Sequence, residues 1–407
     1  MIIIKSSERC SGCHACASAC PKNCIQMISD KEGFWYPRVA TEQCVNCGLC
    51  ERVCPIINKW NPDSTQIKNI IVAQNLNETI RINSSSGGIF TLIAEFIIDQ
   101  GGVVFGAAFS DDFRSVYHIC VDNKNDLEKL RGSKYVQSKI DDVFIRTKEY
   151  LDSGRMVLFT GTPCQIGGLN SFLRKDYNNL FTQDIICHGV PSPIIWEKYV
   201  EQCERKAASK MRRVFFRHKK YGWKSFSMSM EFANNTKYIR TLQEDPYIRL
   251  FFSNSCLRPS CYSCSFKTES RQADITLADF WGVQYTVSKM DDDKGTSLVI
   301  IHSEKAVNLM KSISSFIISQ DIDMDAVLKY NPALIQSAQK NVHREMVFKR
   351  IASYDIEDVV NNLFPIKFKS KIKSILSKIG ILNSLTKIKA IMIKAEKRLM
   401  LYKNNKI

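Results

Sequence analysis

The stretch "CSGCHACASACP", Cys10 to Pro21, returns 34 residues later as "CVNCGLCERVCP", Cys44 to Pro55. Both fit the spacing C-x2-C-x2-C-x3-C-P, in which tight turns bring cysteine sulfurs and backbone N–H groups around a 4Fe-4S cluster. The fourth cysteine of each such run ligates the other cluster. The pattern therefore predicts two ligand sets: Cys10, Cys13, Cys16 and Cys54, and Cys44, Cys47, Cys50 and Cys20.

Over residues 1–60 the chain resembles bacterial two-cluster ferredoxins. The resemblance implies a two-cluster ferredoxin-like domain with a role in electron transfer.

Thiolate sets also bind zinc, but two in tandem, each followed by proline, favour iron–sulfur clusters. The segment between the motifs predicts a short hairpin, and residues 58–66 are polar enough to predict a linker. The chain has sixteen cysteines and begins without a signal-peptide pattern. We therefore expect a cytoplasmic protein whose cysteines bind metal or take part in catalysis rather than form disulfides.

The net charge of +16 is concentrated at the C-terminal end. Residues 366–407 hold twelve Lys and Arg and one Glu, which leaves +5 on the rest of the chain. A mildly basic body predicts no nucleic acid partner. In this tail, apolar residues recur at steps of three and four from Phe368 to Leu382, with a break at Gly380, and predict a basic amphipathic helix. Such a helix can lie on the inner face of a membrane. It can equally be a solvated lysine-rich helix packed on the body or on a partner.

The segment behind the linker has the strand and helix pattern of an α/β body. "IKNIIVAQN" predicts a strand, a helix is expected from about Ser86, and a strand over residues 103–109. Small residues at that helix start suit an anion, although serines also serve as ordinary caps. A second unit places a strand over 156–160, a turn over 161–165 and a helix from Ile166. Such a turn is where open α/β sheets bind ligands.

A third cysteine group, Cys256, Cys261 and Cys264, lies in "SCLRPSCYSC". A 4Fe-4S cluster takes four thiolates, so a fourth ligand must come from elsewhere in the chain. We expect it to be Cys187, or failing it Cys164, because each follows a predicted strand. A structural zinc site of three cysteines and His188 is the competing interpretation. Beside a ferredoxin module, a third 4Fe-4S cluster is favoured.

Several further motifs resemble one known family. They are "SSSGGIF" (84–90), "GSKYVQS" (132–138), "GTPCQIGGL" (161–169), "CHGVPSP" (187–193), "RQADITLADFWG" (271–282) and "NPAL" (331–334). With the double cysteine motif they resemble the coenzyme F-420 hydrogenase/dehydrogenase beta-subunit family. The likeness is to its bacterial members with a fused two-cluster ferredoxin domain, which often occur with polysaccharide biosynthesis genes.

The resemblance implies an α/β (α+β) body that binds FAD and passes electrons between the flavin and the iron–sulfur clusters. It implies a body in two parts, residues 67–150 and 151–360, followed by the basic amphipathic tail at 361–407. It also implies that the third cysteine set lies near the flavin. The flavin-pocket residues carried over in this way are Ser85, Ser86, Gly87, Gly88, Lys134, Tyr135, Gly161, Thr162, Pro163, Cys164 and Gln165.

Three functions compete. The leading prediction is an iron–sulfur flavoenzyme that takes electrons from a redox partner such as ferredoxin and reduces a small organic substrate, in polysaccharide or cell-envelope precursor synthesis. The alternative is an electron-transfer subunit that serves a partner oxidoreductase and has no substrate of its own. A third possibility is a polysaccharide-assembly adaptor with purely structural cysteine sets. Candidates for proton transfer are Lys134, His188, Asp274 and Asp279.

Overall fold

The computed structural model describes residues 1–61 and 67–404. Most of the predicted linker, residues 62–66, and the last three residues of the tail lie outside the described residues.

The N-terminal domain is built on the repeat seen in the sequence. Its elements are α1 (Ala15–Ser18), β1 (Ile25–Ser29), β2 (Trp35–Val39) and α2 (Leu49–Arg52). The two strands form the predicted antiparallel hairpin, with Ile25 opposite Val39. Each short helix follows a residue with positive φ, His14 (68°) in the first motif and Gly48 (70°) in the second. These left-handed turns wrap each cysteine loop tightly, as a cluster-binding loop requires.

The body is organised around an eight-stranded mixed sheet. The strands of the body are β3 (Asn69–Asn75), β4 (Val103–Phe109), β5 (Val116–Val121), β6 (Val157–Thr160), β7 (Leu180–Ile185), β8 (Met211–His218), β9 (Ser227–Phe232), β10 (Lys237–Thr241), β11 (Ile275–Asp279), β12 (Ser297–Ile301) and β13 (Ile317–Asp321). The large sheet has the order β13-β3-β12-β11-β7-β6-β4-β5. In it β3, from residues 67–150, lies between β13 and β12 from residues 151–360, and β4 pairs with β6, so the two predicted parts share one sheet.

The centre of the sheet is parallel: β4 pairs with β6, β6 with β7 and β7 with β11. These strands are nearly continuous runs of buried residues, as parallel strands covered on both faces must be. Their carboxyl ends meet at one edge, which is where open α/β sheets bind ligands.

The remaining helices cover this sheet or extend beyond it. They are α3 (Glu78–Ile82), α4 (Ile89–Asp99), α5 (Leu127–Leu130), α6 (Val143–Asp152), α7 (Pro163–Leu173), α8 (Pro193–Ala207), α9 (Pro246–Phe252), α10 (Val283–Thr286), α11 (Glu304–Ser312), α12 (Met324–Tyr330), α13 (Arg344–Ile351), α14 (Ile356–Leu363), α15 (Phe368–Lys378) and α16 (Ile381–Asn404). Helix α14 crosses the boundary that the sequence placed at residue 361.

A smaller antiparallel sheet, β10-β9-β8, forms a second core with α8, α9, α13 and α14. Aromatic rings dominate this core: Trp196 lies 4.8 Å from Phe216 and 5.0 Å from Tyr247, measured between ring centroids. The second core extends the body on the side where the third cysteine group lies.

Two predicted helix starts need correction. Helix α4 begins at Ile89 rather than near Ser86, because Gly88 adopts a positive φ of 83° that breaks the helical path. Helix α7 begins at Pro163 rather than Ile166. Proline fits the first helical position, and the backbone N–H of Thr162 donates to Oε1 of Gln165 at 2.9 Å, which caps the helix.

The tail has the helical break that the sequence predicts. Gly380 has a φ of +77° and separates α15 from α16. No helix in the described part of the chain is both long and apolar enough to span a membrane.

Candidate functional site

Two cavities in the N-terminal domain are lined by the two predicted ligand sets. Cys10, Cys13, Cys16 and Cys54 line the first, which we name the proximal cavity. Cys20, Cys44, Cys47 and Cys50 line the second, named the distal cavity. Each cavity is thus lined by three cysteines of one motif and the fourth cysteine of the other.

Cys24 also lines the distal cavity, although it belongs to neither motif. It is buried, and its Sγ lies 3.4 Å from Sγ of Cys20. The contact with Cys20 raises the pKa of Cys24 to about 11. Cys24 therefore fits a neutral structural thiol beside the predicted ligands.

A third cavity, named the bridging cavity, has a volume of about 150 Å³ and lies between the N-terminal domain and the body. Four cysteines line it: Cys164, Cys187, Cys261 and Cys264. Cys164 stands in the first turn of α7 and Cys187 just after β7. Cys261 and Cys264 come from the 3-10 turn Pro259–Ser263 and the residue that follows it. Parallel strand ends and one tight turn thus bring four thiols together.

The sequence assigned Cys256 to this group, and the structure does not place it there. Cys256 is fully buried in the second core among Tyr247, Phe251 and Leu257, and it does not line the bridging cavity. Its carbonyl accepts from the backbone N–H of Ser192 at 2.9 Å, which fixes the segment where its side chain faces that core. Cys164 stands in its place, so the two alternatives for the fourth ligand, Cys187 and Cys164, both line the cavity.

Burial raises the pKa of three of the four thiols that line the bridging cavity. It raises the pKa of Cys187 to about 11 and that of Cys261 to about 12, and nearby cysteines add to both shifts. The pKa of Cys164 is also raised by burial and by its three cysteine neighbours. Thiols in this setting stay neutral unless a positive group stabilises the thiolates.

The charge around the bridging cavity is positive. Its lining contains Arg9, Lys59, Arg258, Lys267 and Arg271 against the single carboxylate of Glu8. Nζ of Lys267 donates to the carbonyl oxygens of Cys187 and, at 2.6 Å, Ala333. Four thiolates around a 4Fe-4S core carry net negative charge, so this lining complements such a cluster.

His188, the predicted alternative zinc ligand, lines the bridging cavity, but its Nε2 is hydrogen-bonded to a side chain outside the cysteine group. Its Nε2 lies 2.6 Å from Oδ1 of Asn254, and its ring packs edge-on against Phe251. Within residues 1–61 and 67–404, no three His, Cys, Asp or Glu side chains lie close enough together to hold a single metal ion.

A fourth and larger cavity of about 470 Å³, named the main cavity, opens at the carboxyl edge of the parallel strands. The three segments predicted to form a flavin pocket converge on it. Of the predicted residues, those that line it are Ser85, Ser86, Gly88, Lys134, Tyr135, Gly161, Thr162, Cys164 and Gln165.

Two predicted residues do not line the main cavity. The backbone N–H of Gly87 donates to Oγ of Ser297 at 2.9 Å, and a Cβ at Gly87 would lie 2.4 Å from the carbonyl oxygen of Ala73. Gly87 is therefore required for packing against the sheet. Pro163 lines the bridging cavity instead, because the early start of α7 turns it away.

Several buried polar atoms that line the main cavity have no partner among the described residues. They are Oγ of Ser11, Nδ1 of His118, Oε1 of Gln183, Nε of Arg217 and Oδ1 of Asn331. Nε2 of His118 lies 2.9 Å from the carbonyl oxygen of Thr160 and donates to it, so Nδ1 is left as an acceptor. Buried polar groups are nearly always hydrogen-bonded, so this set fits a polar ligand with both donors and acceptors.

The proton-transfer candidates occupy different settings. Lys134 lines the main cavity, where burial lowers its pKa to about 7, and its Nζ donates to the carbonyl oxygen of Arg131 at 3.0 Å. Asp279 also lines it but is paired with Arg217 at 2.6 Å. Asp274 accepts from the backbone N–H and the hydroxyl of Thr182 at 2.8 and 2.9 Å and is structural.

Sequence patterns contained no sign of Arg217. Its guanidinium is buried, pairs with Asp279 through two hydrogen bonds, and lies 4.1 Å from the ring centroid of Phe226. Asp279 also accepts from Nε1 of Trp223 at 2.8 Å. Lys219 was missed as well: its Nζ donates to the carbonyl oxygens of Arg81 and Ser86 at 2.7 and 2.9 Å, which holds the segment before α4.

The four cavities adjoin one another, and Ser11 lines the proximal, bridging and main cavities. Ile2 lines the proximal cavity, and its backbone N–H donates to Sγ of Cys50 in the distal cavity at 3.3 Å. Arg9, Ser11 and Ile56 line both the proximal and the bridging cavity. The bridging and main cavities share Ser11, Cys164, Cys187, His188, Gly189 and Val190.

The N-terminal domain is fixed on the body by a buried arginine. Arg258 donates through Nε to the carbonyl oxygen of Cys10 at 2.8 Å and through Nη2 to that of Trp35 at 2.9 Å. Its Nη1 contacts Oε1 of Gln137 at 3.1 Å. Close packing adds to this, because a Cβ at Gly168 of α7 would lie 2.8 Å from Cβ of Cys13.

Two regions of the chain match known families. Residues 9–56 match a 4Fe-4S dicluster domain. Residues 154–325 match the family described as the C terminus of the coenzyme F420 hydrogenase/dehydrogenase beta subunit. The chain carries this beta-subunit domain behind a 4Fe-4S dicluster domain. The family resemblance drawn from the sequence motifs is thereby confirmed.

Curated relatives of this chain include proteins of Methanocaldococcus jannaschii and Methanosarcina mazei. The coenzyme F420-dependent sulfite reductase of Methanocaldococcus jannaschii is 20% identical over 346 residues, 84% of this chain and 51% of its own length. One subunit of the F(420)H(2) dehydrogenase of Methanosarcina mazei is 21% identical, over 38% of this chain and 46% of that protein. An uncharacterized Methanocaldococcus jannaschii protein is 27% identical, over 42% of this chain and 54% of that protein. The chain thus spans about half the length of these relatives.

Among solved structures, a xenon-derivatised F420-reducing [NiFe] hydrogenase complex from Methanosarcina barkeri contains a similar chain. The TM-score is 0.47 at 16% identity, covering 70% of this chain and 92% of that one.

Proposed function

We propose that this protein is an iron–sulfur electron-transfer subunit of the F420 hydrogenase/dehydrogenase type that serves a partner oxidoreductase. The observation that carries the proposal is the set of adjoining cavities. Three are lined by at least four cysteines each, and the fourth by buried polar groups that have no partner among the described residues. Clusters in the distal, proximal and bridging cavities would relay single electrons to a ligand in the main cavity.

The bridging cavity is proposed to hold a third 4Fe-4S cluster on Cys164, Cys187, Cys261 and Cys264. Its four thiols line one cavity of about 150 Å³, and its basic lining offsets the negative charge of such a cluster. The backbone N–H of Val190 donates to Sγ of Cys261 at 3.5 Å, a contact that stabilises a thiolate.

The main cavity is proposed to bind FAD. The fit rests on the unpartnered acceptors of His118, Gln183 and Asn331 and the unpartnered donor of Arg217, because a flavin ring edge offers both N–H donors and carbonyl acceptors. When bound there, a flavin supplies the exchange between one-electron and two-electron chemistry. The pair of Arg217 and Asp279 would hold the guanidinium in place, and Tyr135, stacked 4.6 Å from Phe251, would form an aromatic wall.

The relatives support the electron-transfer subunit better than an enzyme with its own organic substrate, because they include a named dehydrogenase subunit and a coenzyme F420-dependent reductase. The predicted link with polysaccharide biosynthesis stays a prediction.

Anaerobic purification with metal and flavin analysis tests the proposal. We expect about twelve irons and twelve sulfides per chain, from four of each per cluster, and about one FAD. Co-purification with an oxidoreductase, and no turnover of organic substrates by the isolated chain, are also expected. About eight irons without flavin would contradict both the third cluster and the main-cavity assignment.

A further inference from the structure

The first helix of the basic tail, α15, faces the body with its polar side. Oγ of Ser374 lies 2.9 Å from Oγ1 of Thr241, and Oγ of Ser377 lies 2.9 Å from Oγ of Ser225. Both tail serines are buried. Amphipathic helices on globular proteins normally bury the apolar face, so α15 is oriented in the opposite sense.

The apolar side of the tail consequently faces outward on both helices. The exposed residues, named the apolar tail face, are Phe368, Ile372, Ile375, Ile379, Ile381, Leu385, Ile388 and Met392. Phe368 is 76% exposed and Ile375 59%. Within each helix these residues recur at steps of four, three and four, so they form one stripe on each helix. An exposed contiguous stripe of this kind marks an interaction surface.

Exposed lysines flank the stripe. They are Lys367, Lys369, Lys371, Lys373, Lys378, Lys387 and Lys389. At about 100° per residue, Lys369 and Lys373 lie on one side of the α15 stripe and Lys371 on the other. Lys378 lies on the same side as Lys371, but its Nζ donates to Oε1 of Glu244 at 2.6 Å. Long lysine side chains beside an apolar stripe can extend to phosphate groups while the stripe enters the acyl region.

We propose that the apolar tail face binds an anionic lipid surface. The argument for lipid over a second copy of the chain is charge, because residues 366–407 carry a net +11 and two such faces would repel. An anionic leaflet attracts the lysines, and its acyl region accepts the isoleucines. Since α15 is fixed to the body through its serines, binding would place the electron-transfer body at the membrane surface.

Vesicle sedimentation of the full-length protein tests this inference. We expect binding to vesicles of phosphatidylglycerol and phosphatidylcholine, no binding to pure phosphatidylcholine, and weakening as salt screens the lysines. The triple variant Ile372→Ser, Ile375→Ser and Ile379→Ser should lower the partition coefficient by on the order of a hundredfold. The double variant Lys369→Gln and Lys373→Gln should lower the partition coefficient by about 25-fold, because each lysine contributes a factor of about five.

The matched control is Phe316→Ser with Ile318→Ser, which removes residues 56% and 51% exposed at the β13 edge of the large sheet. It should bind vesicles like the wild type. Iron content and circular dichroism confirm that each variant is folded. Equal binding to both vesicle types, no binding, or equal binding by wild type and triple variant would overturn the proposal. A wild-type dimer that the triple variant disrupts, without vesicle binding, would assign the face to a second copy instead.

Discussion

Replacing Cys261 by serine should remove one cluster, whereas replacing Cys256 should remove none. Both belong to the same short sequence motif, Cys256-x4-Cys261-x2-Cys264, and cannot be told apart by spacing. Cys261 lines the bridging cavity with Cys164, Cys187 and Cys264, whereas Cys256 lies in the second core. The pair therefore provides a test and its control within a few residues.

The first substitution should change the iron content, and the second should change only the free energy of unfolding. Cys261→Ser removes one thiolate ligand, so iron should fall from about twelve to about eight per chain. Cys256→Ser leaves a hydroxyl in a fully buried setting and should lower the free energy of unfolding by about 1–3 kcal/mol. Its iron content should stay at about twelve.

The assay is iron and acid-labile sulfide analysis after anaerobic purification, with electron paramagnetic resonance of the reduced protein. Signals of the two N-terminal clusters should persist in Cys261→Ser. Loss of four irons in Cys256→Ser, or full iron content in Cys261→Ser, would refute the assignment of the bridging cavity.

Three further outcomes follow from the same structure. Cys20→Ser should perturb the same cluster as Cys47→Ser in electron paramagnetic resonance, because both line the distal cavity; an effect on the other N-terminal cluster would contradict the exchange of fourth ligands. Arg217→Met leaves the buried carboxylate of Asp279 unpaired and should lower the free energy of unfolding by about 3–5 kcal/mol in urea titrations. Adding Asp279→Leu should restore part of that loss, and an unchanged single variant would contradict the pairing. Burial lowers the pKa of Lys134 from 10.5 to about 7. The buried charged amine therefore destabilises the folded state fully below pH 7, and this destabilisation disappears as the pH rises to 10.5. Lys134→Met should therefore stabilise the protein at about pH 6 more than at about pH 10, and an equal effect at both pH values would contradict the burial of this amine.

The N-terminal domain could be predicted from the sequence because its signals are local. The two motifs define their own turns, and the segment between them forms the expected hairpin. Gly380 separates the tail helices for an equally local reason, its positive φ. The start of α7 was open to prediction as well, since Thr162 and Gln165 have capping-box spacing with proline between them.

The cysteines that line the bridging cavity could not be predicted from the spacing of cysteines in the sequence. Whether Cys256 or Cys164 faces it is decided by contacts between segments far apart in the sequence, such as the pairing of Ser192 with Cys256. The orientation of the tail helix could not be predicted from the sequence either. Periodicity predicted an amphipathic helix, but serine hydroxyls paired with Thr241 and Ser225 decide that its polar side meets the body.

The central claim is that a third cluster connects the N-terminal domain to the main cavity. Anomalous scattering at the iron edge from anaerobically grown crystals tests it most directly. The account predicts three compact iron peaks, the third within ligating distance of the sulfurs of Cys164, Cys187, Cys261 and Cys264. Only two peaks, or a third peak ligated by Cys256, would contradict it.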